Sequence, residues 1–262
     1  MADQDTWDPR QYERFAAERR QPFDDLVSLV HPVPGGRVVD LGCGQGNLTA
    51  ELASSLGAAE VLGIDSSPAM LRDAASHAGP RVRFEAGDIA TWTAAPGFAV
   101  VLSNAALHWV PDHEAVLARW AAALMPGGQL AFQAPCNAGH PAHVLIDTIA
   151  HEEPFRSAMG GSPPPDAAAA NTLAPRDYAE LLFRLGFERQ SVRLQVYGHV
   201  LDSTADIVEW VKGSTLTRFR PHLSAELYDE LVERYRRRVL AELGDQRPCF
   251  YTFQRILCWG QR

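Results

Sequence analysis

The sequence predicts an α/β fold in which a mostly parallel sheet is laid down first and a more helical half follows. Three observations predict it. Short apolar runs alternate with helical patterns through about the first 135 residues, as they do where strands are covered by helices on both faces. Each run closes on a polar or acidic residue and a turn. Helix-start signals then follow, among them Ser66-Ser67-Pro68 and Pro111-Asp112.

Val38 and Val39 lead into the first strand end, Asp40, and then into Gly42-Cys43-Gly44-Gln45-Gly46-Asn47, after which Leu48 to Leu56 has a helical pattern. Glycines between a buried strand and a helix start let the backbone approach a nucleotide-like ligand, because no Cβ intervenes and positive φ costs little. Departures from the dinucleotide pattern choose the ligand. A pyrophosphate site wants a small glycine where Asn47 stands, for close helix packing. The acid Asp40 at the mouth repels a pyrophosphate but suits the α-ammonium of an amino acid. This combination points to S-adenosylmethionine (SAM), which carries an ammonium, a sulfonium, a ribose and an adenine but no phosphate.

Ala59 to Ile64 reads as a second buried strand. It closes on Asp65, 23 residues after Gly42, where a ribose-binding acid belongs, and Ser66 and Met70 flank the next helix start. The third strand, Val82 to Ala86, ends at Gly87-Asp88-Ile89. Asp88 can accept a hydrogen bond from the adenine amino group while Ile89 packs on the ring. The fourth, Ala99 to Leu102, runs into Ser103-Asn104-Ala105-Ala106-Leu107-His108-Trp109. Any one of these acids is as readily a helix cap or turn former. Three of them along one edge are harder to explain that way, because the carboxyl ends of parallel strands form the ligand crevice of an open sheet.

Past a fifth strand, Gln129 to Ala134, the pattern changes. His140 to Glu153 reads as helical, and the stretch from Ser157 to Thr172 lacks a packing face and is expected to be a mobile loop. Pro175 to Leu185 resumes a helix and Phe187 to Val200 is extended. Ser203 to Lys212 and Ser224 to Leu243 are helices, and Phe250 to Trp259 is the last strand.

A chain of 262 residues with 46% hydrophobic composition can bury a substantial core, in one elaborated domain or two unequal ones. The net charge of −8 argues against nucleic acid as a partner. The one basic run, Arg234 to Arg238, lies in a helical pattern balanced by Glu226, Asp229, Glu230 and Glu233, which reads as a solvated face. No apolar stretch is long enough to span a bilayer and the polar N-terminus is not a signal peptide, so no membrane partner and a cytoplasmic location are expected. Cys43, Cys136, Cys249 and Cys258 form no C-x-x-C pair and are expected as reduced thiols. His140-x-x-His143 falls in a Gly/Pro loop without further ligands nearby, and no metal is expected.

The strings Asp40 to Asn47, Gly63 to Met70, Asn104 to His113 and Pro126 to Gln133 resemble those of the Rossmann-type SAM-dependent methyltransferases, and more narrowly of the trans-aconitate 2-methyltransferases. The opening Trp7-Asp8-Pro9-x-x-Tyr12-x-x-Phe15-Ala16-x-Glu18-Arg19 is similar to the latter family's N-terminal signature. The resemblance implies a Rossmann-like seven-stranded, mostly parallel sheet with one antiparallel strand, plus a helical lid from C-terminal insertions. The lid is placed at roughly 138 to 175 and 203 to 247, giving a SAM-binding core with an N-terminal helical segment over 1–137 and lid insertions with the last strands over 138–262.

On that reading SAM is held by Tyr12, Arg19, Asp40, Gly42, Gly44, Asn47, Asp65, Ser66, Met70, Asp88, Ile89, Asn104, Ala105 and Trp109. The implied acceptor is a small polycarboxylate, most favourably trans-aconitate, methylated on a carboxylate oxygen. A carboxylate with a pKa near 4 is already ionised at neutral pH, so positioning replaces a general base. Arg20, Lys212, Arg218 and Arg220 are the candidate cations for the remaining carboxylates, with Arg220 preferred over Arg218 because Pro221 pins the backbone after it. Arg19 belongs either to the SAM carboxylate or to the substrate. Trp109 either faces the sulfonium or packs in the core beneath helix 112 to 125. Two alternatives stay open: methylation of a small-molecule hydroxyl or amine with His108 as base, and, more remotely, an NAD-dependent oxidoreductase, against which Asp40 and Asn47 speak.

Overall fold

The structure, a computed structural model, describes residues 16–262, with side chains from Arg20 onward. Helix α1 (Ala16–Ser28) precedes a regular alternation: β1 (Arg37–Leu41), α2 (Asn47–Ser55), β2 (Glu60–Asp65), α3 (Pro68–Ala74), β3 (Val82–Ala86), β4 (Phe98–Asn104), α4 (His113–Ala122) and β5 (Leu124–Pro135). Four short or medium helices follow, α5 (Pro141–Ala150), α6 (Phe155–Ala158), α7 (Ala167–Asn171) and α8 (Pro175–Arg184). Then come β6 (Arg189–Leu201), α9 (Ala205–Lys212), a 3₁₀ turn at Thr215–His222, α10 (Ala225–Leu243) and β7 (Cys249–Gln261).

The seven strands form one sheet in the order β3-β2-β1-β4-β5-β7-β6. β1 pairs in parallel with β2 and β4, β2 with β3, and β4 with β5, whereas β7 runs antiparallel to β5. The central strands are buried almost end to end because both of their faces are covered, which is why they carry the apolar runs Val38-Val39 in β1 and Phe98 to Leu102 in β4. Strand order reverses between β1 and β4. The crevice outside their carboxyl ends is the place where an open α/β sheet takes a ligand.

Local chemistry sets the helix starts. Ser67 caps α3 by accepting the Met70 N–H at 3.3 Å, with Pro68 in the first turn. Asp112 caps α4 through the Ala115 N–H at 3.2 Å, and Ser224 caps α10 through Leu227. β5 begins earlier than its expected start at Gln129. Leu124 pairs with Phe98 before the register shifts, and Pro126-Gly127-Gly128 is looped out so that Val100 can pair with Gln129.

Two compact units divide the described chain. One comprises Gln21–Pro135, Asn171–Gln195 and Arg255–Arg262, and its core packs Phe23 and Leu26 of α1 and Leu52 and Ala53 of α2 with Val38, Val100, Ala131, Leu257 and Trp259 of the sheet. The other contains Cys136–Ala170 and Val196–Gln254. Its core gathers Ile146, Ile149, Phe155, Trp210, Val211, Leu231, Tyr235 and Tyr251. The Trp210 and Tyr251 rings meet edge to face at 5.6 Å.

In this second unit the structure corrects three expectations. The stretch from Ser157 to Thr172 is not an unstructured loop: it carries α7, and Met159 inside it and Phe155 just before it are buried in the core. Asp166 caps α7 through the Ala168 N–H at 2.9 Å and ion-pairs with Arg218. His143 lies within α5 rather than in a loop, while His140 caps that helix. The basic run of α10 is not simply solvated, since Arg234 and Arg238 both reach Glu152 and Arg236 reaches Glu209 on α9.

A packing constraint near the sheet edge is set at Gly46, at φ +79°, where a Cβ would fall 2.6 Å from Phe84 and 2.9 Å from Ala74. Gly46→Ala is expected to cost about 2 kcal/mol or more, through both strain and overlap. A thermal melt lowered by several degrees relative to wild type would register it.

Candidate functional site

β1 delivers Asp40 to the switch point, 3% exposed and paired in register with Gly63 and Leu102. The chain then turns through Gly42, at φ +83°, where a Cβ would overlap Ala106 at 2.2 Å. Only glycine can lie so close against the β4 loop in that conformation. Backbone bonds from Gly42 and Cys43 to the Ile64 carbonyl, at 2.8 and 3.0 Å, fasten the turn to β2. Among the described residues Gly44 has nothing within 4 Å of where its Cβ would stand, and α2 then starts at the exposed Asn47 without a side-chain cap.

Asp65 closes the other side of the turn. Its two oxygens accept the Gly44 N–H at 2.8 Å and the Ser67 N–H at 2.9 Å, so it braces the loop as well as ending β2. Ser66 beside it is exposed and Met70 is partly buried in α3. At the end of β3, Asp88 is exposed and holds its own turn through the Ala90 N–H at 2.8 Å. Ile89 is buried and its carbonyl accepts the Trp120 indole N–H at 3.1 Å.

Asp40 is the electrostatic centre of this edge. Its Oδ2 accepts the Thr49 hydroxyl at 2.6 Å, and its Oδ1 is buried without a partner among the described residues. Burial pushes its carboxyl up to about 6, Thr49 pulls it back and the Asp65 charge adds to the rise. Thr49, one turn into α2, was not singled out from the sequence; a hydroxyl nine residues beyond a strand-end acid was the available signal.

β4 ends in a polar chain. Ser103 donates to the Leu41 carbonyl at 2.7 Å, locking β4 to β1. Asn104, partly buried, accepts the Gln133 amide at 2.7 Å, and Gln133 in turn accepts Arg255 at 3.2 Å. Arg255, 9% exposed, was hidden in a strand that otherwise reads as apolar and aromatic. Ala105 takes φ +54°, and the 3₁₀ turn Leu107–Trp109 follows. His108 is buried, its carbonyl accepting the Asn171 amide at 3.0 Å. Trp109 is 55% exposed, which overturns the core alternative for it; the buried tryptophan of this region is Trp120.

Of the expected cations, Arg218 is already engaged. It pairs with Asp147 at 3.1 Å and Asp166 at 3.5 Å and lies over the Phe219 ring. Burial raises Asp166, but the His143 hydrogen bond and the Arg218 charge together bring it below the ordinary carboxylate range. Lys212 sits 3.8 Å from Glu209, Arg220 is exposed over the Tyr228 ring at 5.0 Å, and Arg20 is exposed. Tyr12 and the side chain of Arg19 lie outside the described residues. Among the described residues no group of acidic, histidine or cysteine side chains is arranged to hold a metal, and no helix is long and apolar enough to cross a membrane.

A buried carboxylate at the switch point sorts this sheet away from pyrophosphate binders and puts the chain in the class of SAM-dependent methyltransferases. A model described as "Methyltransferase domain" matches residues 38–128. The trans-aconitate 2-methyltransferase of Deinococcus radiodurans is 40% identical over 254 residues, covering 96% of each chain. Its namesake from Streptomyces avermitilis is 37% identical over 259 residues, covering 96% of this chain and 95% of that one. This chain belongs to the trans-aconitate 2-methyltransferase family.

Among solved structures, the YcgJ protein from Bacillus subtilis matches with a TM-score of 0.59 at 13% identity, over 93% of this chain and 98% of that one. A Haemonchus contortus phosphoethanolamine N-methyltransferase 2 in complex with SAM matches with a TM-score of 0.56 at 19% identity. That match covers 93% of this chain and about half of the other, 52%. Both share the fold. The residues present fit SAM: the partnerless buried oxygen of Asp40 asks for a hydrogen-bond donor, and the open side of Gly44 leaves room for a ligand.

The folded-state pKa of Asp40, about 6, lies above its ordinary 3.8. Its contribution to stability is therefore fully present below about pH 4 and is lost as pH rises through 6, a loss of up to about 3 kcal/mol. Asp40→Asn, which can still accept from Thr49, is expected to flatten that part of the profile and to melt no lower than wild type at pH 8. Thermal melts of both proteins from about pH 4 to pH 8 check this.

Proposed function

We propose that this chain transfers the methyl group of SAM to a carboxylate oxygen of trans-aconitate, forming a methyl monoester. The observation that carries the reading is the buried, half-satisfied carboxylate of Asp40 at the edge where β1 and β4 diverge, in a chain whose relatives are named for that activity. SAM, when bound, supplies an electrophilic methyl group on a sulfonium.

Asp40 receives the ammonium of the cofactor's amino-acid end, with Gly42, Gly44 and Asn47 forming the wall beside it. Asp65 and Ser66 take the ribose and Met70 flanks it. Asp88 accepts from the adenine amino group while Ile89 forms the apolar wall, and Asn104, Ala105 and Trp109 line the end nearest the acceptor. Tyr12 and Arg19 complete the proposed set. The reacting carboxylate needs no proton removed at neutral pH. The chain's work is then to hold that oxygen in line and keep water out, an arrangement that can supply about 7 kcal/mol or more. Arg20, Lys212 and Arg220 are the proposed cations for the other carboxylates. Arg218 serves instead to hold the segment around Asp166. A small molecule as substrate and the cytoplasm as location complete the proposal.

Mass spectrometry after incubation with SAM and a panel of trans-aconitate, cis-aconitate, citrate, phenols and amines tests it. The expected product is trans-aconitate carrying one added methyl; rapid methylation of a phenol or amine with trans-aconitate untouched overturns it. The rate with trans-aconitate is expected to stay level from about pH 7 to 9, since the acceptor is already ionised. Calorimetry should find SAM binding to Asp40→Asn weakened about tenfold or more, as expected for loss of a charge-assisted hydrogen bond.

A further inference from the structure

The amides of Asn104 and Gln133 each have an oxygen end and a nitrogen end, and which end faces which neighbour is decided by the surrounding donors and acceptors. Arg255 decides it here. A guanidinium only donates, so the Gln133 oxygen must turn to Arg255, as it does at 3.2 Å. The Gln133 nitrogen is then left to donate to Asn104, at 2.7 Å, and Asn104 must offer its oxygen in return. The Nδ2 of Asn104 is thereby the end left over, and it makes no hydrogen bond among the described residues. Gln133 and Arg255 are both buried, whereas Asn104 is only partly so and stands at the carboxyl end of β4.

We infer that Arg255 is a positioning residue that acts through Gln133 to present the N–H edge of Asn104 to a carboxylate at the sheet edge. On the neighbouring β1, Asp40 pairs in register with Leu102, two residues before Asn104, and its charge repels such a group, so the polarity of this amide bears on whether an anion is accepted at the edge. The carboxylate is that of the cofactor's amino-acid end or one of the acceptor's. In the second case the inference rests on the function proposed above.

Gln133→Glu inverts the chain of amides without changing its shape. The carboxylate introduced there would pair with Arg255 and could only accept from Asn104, whose amide must then flip and turn its oxygen outward. The melting temperature is expected to hold, because every buried group keeps a partner. Three quantities are measured in this variant and in Asn104→Asp, which presents an acceptor directly: the Kd for S-adenosylhomocysteine, the Kd for its decarboxylated analogue, and KM and kcat for trans-aconitate.

Loss of about tenfold or more in S-adenosylhomocysteine affinity, with the decarboxylated analogue unaffected, assigns Asn104 to the cofactor carboxylate. A KM for trans-aconitate raised to that extent, with kcat and both Kd values little changed, assigns it to the acceptor. Equal weakening of both cofactor analogues, or no change in any of the three, overturns the inference. If wild type itself leaves trans-aconitate unmethylated, the proposed function fails and the pair of Kd values alone decides the inference. Should Gln133→Glu fail to fold, Asn104→Asp carries the same comparison.

Discussion

An ionisable carboxylate held almost wholly out of water, with one oxygen bonded to a threonine and the other without a partner among the described residues, is the constraint around which the parallel edge is arranged. Asp40 is there because β1 is a central strand, and a central strand is covered on both faces. Thr49 can reach it because the chain turns back through Gly42 and Gly46, positions where a Cβ would collide with Ala106 and Phe84. Asp65, tied to Gly44 and Ser67, keeps that turn in place and raises the cost of ionising Asp40 further. Function and stability therefore oppose one another at this residue.

The second unit solves a different problem with charge. Helices α5, α9 and α10 share an apolar core, and their polar faces are joined by arginines to Glu152 and Glu209. Arg218 plays the same part for the segment carrying Asp166. Exposed pairs of this kind add little individually, but Arg218 is largely buried, so removing Asp166 would leave a guanidinium short of a counter-charge. His140, pushed down to about 4 by burial and by the neighbouring His143, stays neutral at physiological pH and acts there as a helix cap.

Much of this was legible in the sequence, for a physical reason. Central parallel strands are long enough runs of buried residues to be read without their neighbours, and Asp40, Asp65, Asp88 and Asn104 each fall at a strand end that the pattern of apolar residues marks. What escaped depended on partners far along the chain. Arg255 contacts Gln133 across the β5–β7 pairing, and nothing near it in sequence announces that contact. The stretch from Ser157 to Thr172 looked unstructured because its proline and glycine content hid the residues that fix it, Phe155 and Met159 in the core and Arg218 much further along the chain. For Trp109 the sequence left two places open, since a large aromatic beside an amphipathic helix suits the core as well; Trp120 fills that place and Trp109 is exposed.

The division of the chain into two units has a consequence for its synthesis and its handling. Neither unit is a contiguous stretch: the sheet unit takes its last segments from Asn171–Gln195 and Arg255–Arg262, after the chain has twice departed to build the other. Truncation after Pro135 would strip β5 of the strand that flanks it and take away Trp259, whose indole holds Gln129 at 2.9 Å. The helical unit is thus an interpolation, open to elaboration between fixed endpoints. The endpoints themselves are not free to vary, because a nascent chain that has already laid down β1 must wait for β7 to leave the ribosome before its sheet is whole.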